Sequence, residues 1–134
     1  MQNRSPYDQK EVLNDMPDIR MFQLLEHLHK SGVEIIFLSA REGTKQCKED
    51  TIKWLNKYFK PKKRFFSFKK RDNFKLFMRR KGDYRPDEII KKEIFDNYIL
   101  GQYDVICVFD DRNKVVDMWR ENKLLTCQVE QGDF

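Results

Sequence analysis

Two short apolar runs constrain this chain more than any other feature. Val33–Ser39 reads VEIIFLS and Asp104–Phe109 reads DVICVF. Both are rich in β-branched residues and apolar without strict alternation, as expected of strands covered on both faces in a parallel sheet. Around them apolar residues recur at helical spacing. Ile19, Phe22, Leu25 and Leu28 make one stripe, with Asn14-Asp15 and Met16-Pro17 at its start and Gly32 at its stop. Cys47, Thr51, Leu55 and Tyr58 make a second, which Thr44 is placed to cap. Ile90, Ile94 and Tyr98 predict a helix over Asp87–Tyr98, and Val116 with Trp119 mark another. Phe74–Met78 and Leu125–Val129 read as further strands. Strands alternating with helices predict an α/β layered fold with a mostly parallel sheet. At 134 residues the chain makes one domain, 1–134.

Composition excludes several classes. Eleven Phe, five Tyr and two Trp can build a core, and five Gly with four Pro are too few for a collagenous or low-complexity chain. No apolar run reaches the ~18–20 residues of a membrane span, so no membrane association is expected. The opening MQNRSPYDQKE lacks the apolar centre of a secretory signal. Cys47, Cys107 and Cys127 show no paired spacing, which argues against a disulfide framework or zinc site and for a reducing, cytoplasmic setting. His27 and His29 fall on different sides of a helix and cannot share a metal. No GxxxxGK[ST] loop is present, so nucleotide binding of that kind is excluded.

Charge is unevenly placed. From Lys53 to Lys81 thirteen Lys or Arg face one acid, Asp72; that stretch carries +12 of a total of +5, and the remainder carries −7. Such a stretch is either a lysine-rich solvated surface or a patch that meets a polyanion such as nucleic acid.

Ligands of open parallel sheets bind beyond the carboxyl ends of the strands. Two groups stand there: Ser39 with Arg41 after the first run, and Asp110 with Asp111 after the second. Adjacent carboxylates repel unless a cation or basic side chains neutralise them, and hard oxygen ligands of this kind suit Mg²⁺. The plainer alternative makes Asp110 a helix cap and leaves Asp111 in the turn with Arg112. Ser39 can donate to a phosphate oxygen or simply close a turn. Arg41 can hold a phosphate with two parallel hydrogen bonds or stand as a surface cation. Asp87 and Lys91 are one helical turn apart. They are either a surface ion pair, or Lys91 points to a phosphate site while Asp87 fixes it or neighbouring arginines.

Taken together, RSPYD (4–8), FLSARE (37–42), RPDEIIKKEIF (85–95), FDDRNKVVDMWR (109–120) and QVEQGDF (128–134) resemble the 3′-phosphatase domain of phage-type polynucleotide kinase-phosphatase, in the haloacid dehalogenase superfamily. The resemblance runs from Arg4 to the last residue and is weakest across Lys60–Lys75. It implies a Rossmann-like fold and removal of 3′-phosphate from RNA or DNA ends with Mg²⁺, usually beside a kinase domain. By matching position, Arg4 and Arg41 would bind the phosphate and Ser39 a phosphoryl oxygen. Lys91 would neutralise the nucleophile and phosphate, with Asp87 beside it. Asp110 and Asp111 would hold the metal, one directly and the other directly or through water. Ala40 stands where the family has Gly.

One departure matters. The family opens with a central strand ending in Asp-x-Asp-Gly-Thr, whose first Asp is the nucleophile and whose second is the general acid/base. No such motif occurs in this sequence. The resemblance therefore implies a sheet without its first, central strand, so that the two apolar runs either pair directly or stay apart. It implies a domain N-terminally incomplete, whose missing strand an upstream segment would supply, and which is inactive alone. A non-catalytic module that binds phosphorylated nucleic-acid ends is the alternative. An in-frame Asp-x-Asp-Gly-Thr upstream would separate the two.

Overall fold

The computed structural model describes residues 17–61 and 73–134; Arg4 and its RSPYD segment, and most of the basic stretch, lie outside them. The chain divides into two compact units, Met1–Asp83 and Tyr84–Phe134.

In the first unit α1 spans Ile19–Lys30. The expected start near Met16-Pro17 is too early, because the Asp18 carboxylate caps the helix by accepting from the Arg20 and Met21 amides. Gly32, at φ +104°, then turns the chain as only glycine does readily. Strand β1 spans Ile36–Glu42, and α2 spans Lys45–Tyr58 with Thr44 Oγ1 accepting from the Cys47 amide at 3.2 Å. Strand β2, Lys75–Arg79, pairs parallel to β1 from Ile36↔Lys75 to Ser39↔Met78. Phe22, Ile35, Leu55 and Phe59 form the buried core, with Phe37, Trp54 and Phe74 packed on it. Phe37 meets Phe59 and Phe74 edge to face at 5.6 and 5.5 Å, the arrangement aromatic quadrupoles favour. His27 is exposed and His29 packs at the boundary against Phe59, 6.1 Å between ring centres.

In the second unit α3 spans Asp87–Ile94 and continues into a π-helical turn, Phe95–Ile99. Strand β3 is Val108–Asp110, α4 is Asn113–Glu121 and β4 is Thr126–Gln128, parallel to β3. The expected strand over Asp104–Phe109 is mostly irregular chain. A strand needs a partner, and β4 offers three residues, with the Leu125 carbonyl and Val129 amide closing the ladder. Ile90, Ile94, Phe95, Val115, Val116, Met118 and Trp119 are buried, and Phe95 meets Trp119 edge to face at 5.7 Å.

The architecture is the α/β arrangement expected, with both ladders parallel. Among the described residues β1 and β3 belong to separate two-stranded sheets, so the two apolar runs do not pair directly. No helix among those residues is long and apolar enough to cross a membrane.

Candidate phosphate and metal site

At the carboxyl end of β1 the ladder is interrupted. Ser39 faces Met78, but the next pair is Glu42↔Arg79, so Ala40 and Arg41 are left unpaired in a bulge. Bulges re-aim side chains and recur beside functional sites. This one is fastened from below by Arg79, 1% exposed. Its Nε donates to the Ala40 carbonyl at 2.7 Å and a terminal nitrogen to the Asp83 carbonyl at 3.1 Å. Glu42 Oε1 accepts from the Gly82 amide at 2.7 Å. Gly43 follows because its amide donates to the Arg79 carbonyl at 2.6 Å, and a Cβ there would sit 2.8 Å from that oxygen. On the bulge the Arg41 amide donates to Ser39 Oγ at 3.1 Å, an arrangement in which the Ser39 hydroxyl accepts and keeps its own proton to donate.

In the second unit Lys91, in α3, reaches the end of β3. Its Nζ lies 2.9 Å from Asp110 Oδ2, with the two side chains 12% and 10% exposed. Trp119 Nε1 donates to the same oxygen at 3.2 Å, and Asp110 Oδ1 accepts from the Asp111 amide at 2.9 Å. Asp110 therefore does not cap α4, which has no side-chain cap. Its carboxylate is tied down by α3, α4 and its own loop. Burial pushes the Asp111 carboxyl above the usual range, the Asp110 charge pushes it further, and Lys91 opposes both. Asp87 engages Arg112 at 2.5 Å. Arg112 is thus not a bystander in the turn with Asp111; it joins the first turn of α3 to the loop after β3.

The second unit brings together Lys91, Asp110 and Asp111, with Asp87 on Arg112; the first brings Ser39 beside Arg41. Arg4 lies outside the described residues. Sequence reasoning missed Trp119, Arg79, Gln128 and a partner role for Arg112. Trp119, Gln128 and Arg112 lie within the quoted motifs, but only Arg112, next to the two carboxylates, is adjacent in sequence to a named site residue.

Whether Asp110 and Asp111 suit Mg²⁺ can be tested on their chemistry. They are adjacent hard oxygen donors, and burial, then the Asp110 charge, raises the Asp111 pKa against the opposing effect of Lys91, two penalties that a bound cation would relieve. Among the described residues no group of three or more His, Cys, Asp or Glu is placed to hold a metal ion. A closed cage for zinc is not built there, whereas Mg²⁺ asks for one or two carboxylates plus water and phosphate oxygens. The pair fits.

The parallel α/β ladders with charged groups at the strand ends agree with a haloacid dehalogenase-like fold. A solved structure of the Pnkp1/Rnl/Hen1 RNA repair complex contains a chain 38% identical, with TM-score 0.83, over 98% of this chain and 39% of that one. A second structure of the Pnkp1/Rnl/Hen1 complex matches at 37% identity and TM-score 0.82, over 99% of this chain and 42% of that one. The chain belongs to the polynucleotide kinase PNKP phosphatase domain family, whose model matches residues 1–134. A putative bifunctional polynucleotide kinase/RNA ligase of Autographa californica nuclear polyhedrosis virus is 36% identical over 126 residues, which are 92% of this chain and 16% of the viral protein. The chain thus spans about a sixth of that curated relative.

Proposed function

We propose that this chain supplies the phosphate-holding and metal-holding part of a polynucleotide 3′-phosphatase acting on RNA or DNA ends. The Lys91–Asp110 pair carries the reading: a buried ammonium fixed on the first of two adjacent strand-end carboxylates. Mg²⁺ at Asp110 and Asp111 would draw charge from the phosphate. Ser39 and Arg41, with Arg4, would hold phosphate oxygens by directed donors. Lys91 would neutralise negative charge at the reacting group, with Asp87 acting through Arg112 to hold the loop. The basic stretch Lys53–Lys81 would take the nucleic-acid backbone, a salt-sensitive contribution.

Hydrolysis through a covalent phosphoryl step needs a nucleophilic carboxylate and a general acid, and the 134 residues contain no Asp-x-Asp-Gly-Thr to provide them. On this reading a further segment brings strand, nucleophile and acid together with this chain. The relatives, a kinase/ligase and an RNA repair complex, support work beside kinase and ligase domains.

The test is phosphate release from a 3′-phosphorylated oligonucleotide with Mg²⁺. The chain alone should release none. The chain joined to a segment carrying a strand and Asp-x-Asp-Gly-Thr should release phosphate, and Asp110→Asn should abolish that release. Turnover by the chain alone, lost in Asp110→Asn, would show that another residue is the nucleophile. Binding of phosphorylated ends with no turnover in the joined protein would favour the non-catalytic module.

A further inference from the structure

The loop that carries the two carboxylates is held, residue by residue, from residues 128–134. The Asp110 carbonyl accepts from the Val129 amide at 3.0 Å. The Asp111 carbonyl accepts from Gln128 Nε2 at 3.0 Å. Arg112 Nε donates to the Phe134 carbonyl, and its guanidinium stands 5.1 Å from the centre of the Phe134 ring. The Asn113 amide donates to the Gly132 carbonyl at 2.7 Å, and Gln128 Nε2 also reaches Asn113 Oδ1 at 2.6 Å. Gly132 is buried, and a Cβ built on it would lie 2.7 Å from the Asp111 carbonyl carbon and 2.9 Å from Phe134 Cε1. The first of these is backbone, which cannot swing aside as a flexible side chain would.

We propose that residues 128–134 are a positioning strap for the metal loop, with Gly132 and Gln128 as its positioning residues. A ligand set of two adjacent carboxylates has little redundancy. If the Asp111 peptide tilts, its carboxylate would no longer be presented together with that of Asp110. The strap fixes the peptide through its carbonyls, and it does so through an approach only glycine permits. Partners of this outer kind typically change metal affinity by about 10–100-fold when removed.

The inference rests on the reading of Asp110 and Asp111 as metal ligands, so two measurements are made on the full chain. The first is hydrogen exchange at the Asp111 and Asn113 amides. The second is titration with Mn²⁺ alone, followed by the electron paramagnetic resonance of the free ion. Gly132→Ala should speed Asn113 exchange and weaken Mn²⁺ binding by about tenfold or more, with α3 amides unchanged. Gln128→Met, which keeps side-chain length but removes the amide donor, should do the same to a smaller degree. It also serves if Gly132→Ala does not fold. Faster exchange with unaltered Mn²⁺ affinity would overturn the positioning role, as would unaltered exchange. If neither the parent chain nor the chain joined to the Asp-x-Asp-Gly-Thr segment binds Mn²⁺, the metal reading fails, and the exchange arm still decides whether the strap holds the loop.

Discussion

Replacing Lys91 by Met keeps most of the side chain's length and removes its charge. The ammonium sits 2.9 Å from Asp110 Oδ2, and both side chains are about nine-tenths buried. At that distance, with an effective dielectric constant near 20, the attraction is about 6 kcal/mol before desolvation, which cancels much of it. Removing one partner of such a pair leaves the other buried and uncompensated, at about 3 kcal/mol. Asp110→Asn should cost less, about 1–2 kcal/mol, because the amide oxygen of the new side chain would still accept from Trp119 and Lys91 would still face Asp111. The double variant should fall short of the sum by about 2 kcal/mol. Urea unfolding followed by Trp119 fluorescence, in a Trp54→Phe background, reads all four corners of the cycle. Burial also predicts a coupling that changes little between low and high salt. A coupling below about 0.5 kcal/mol, the range of exposed pairs, or one that vanishes in high salt, would refute the argument.

Three further outcomes follow from the first unit. Arg79→Met should destabilise it by about 3 kcal/mol by orphaning buried carbonyls, and Arg79→Lys should recover less than half, since an ammonium does not span the Ala40 and Asp83 oxygens together; a lysine variant as stable as the parent in thermal melts contradicts this. Gly43→Ala should cost about 1–3 kcal/mol through the 2.8 Å approach to the Arg79 carbonyl, and faster exchange of the amide at that position is the check. Burial pushes the Cys47 thiol up, so the folded chain keeps that proton longer than the unfolded one; its contribution is constant below the ordinary thiol pKa and is lost as pH rises through that value toward the folded one. Urea midpoints of the parent relative to Cys47→Ala should therefore fall as pH rises above about 8.5, and an unchanged difference argues against the shift.

Local signals were legible in the sequence and partner-dependent ones were not. The cap of α2 could be read because Thr44 and the Cys47 amide it caps are three residues apart. The apolar stripe of α2 was also legible, since Cys47, Thr51 and Leu55 are all buried. The start of α1 was misplaced because Pro17 is as acceptable beside a cap as inside a first turn. Asp104–Phe109 has strand composition throughout, yet only Val108 and Phe109 of that run join the ladder, because strand length is set by β4. At the site, Lys91 and the carboxylates were found by their place in motifs. The Asp87–Arg112 pair joins residues 25 apart, and the hold of Gln128 on Asp111 spans 17. Neither residue type announces such a contact. QVEQGDF was visible as a motif, but its task of holding a loop appears only when Gly132 lies against the Asp111 carbonyl.

The charges around Asp111 explain why the site is built at a cost to the fold. Asp87 and Arg112 neutralise one another. Lys91 then faces two carboxylates, and Glu130 adds a further negative charge within reach of Asp111. A chain selected for stability alone would be served by an asparagine at position 111, which removes the repulsion and keeps the shape. The observed arrangement instead gathers more negative than positive charge about Asp111, while α3, α4 and the backbone strap restrain the loop from relaxing it away. Rigid, unmatched charge of this kind favours whatever cation arrives to match it. On the proposed reading that cation is Mg²⁺ accompanied by a phosphate. The phosphate would bring further negative charge to that metal, and Lys91, already held on Asp110, is the cation of this unit placed to face it.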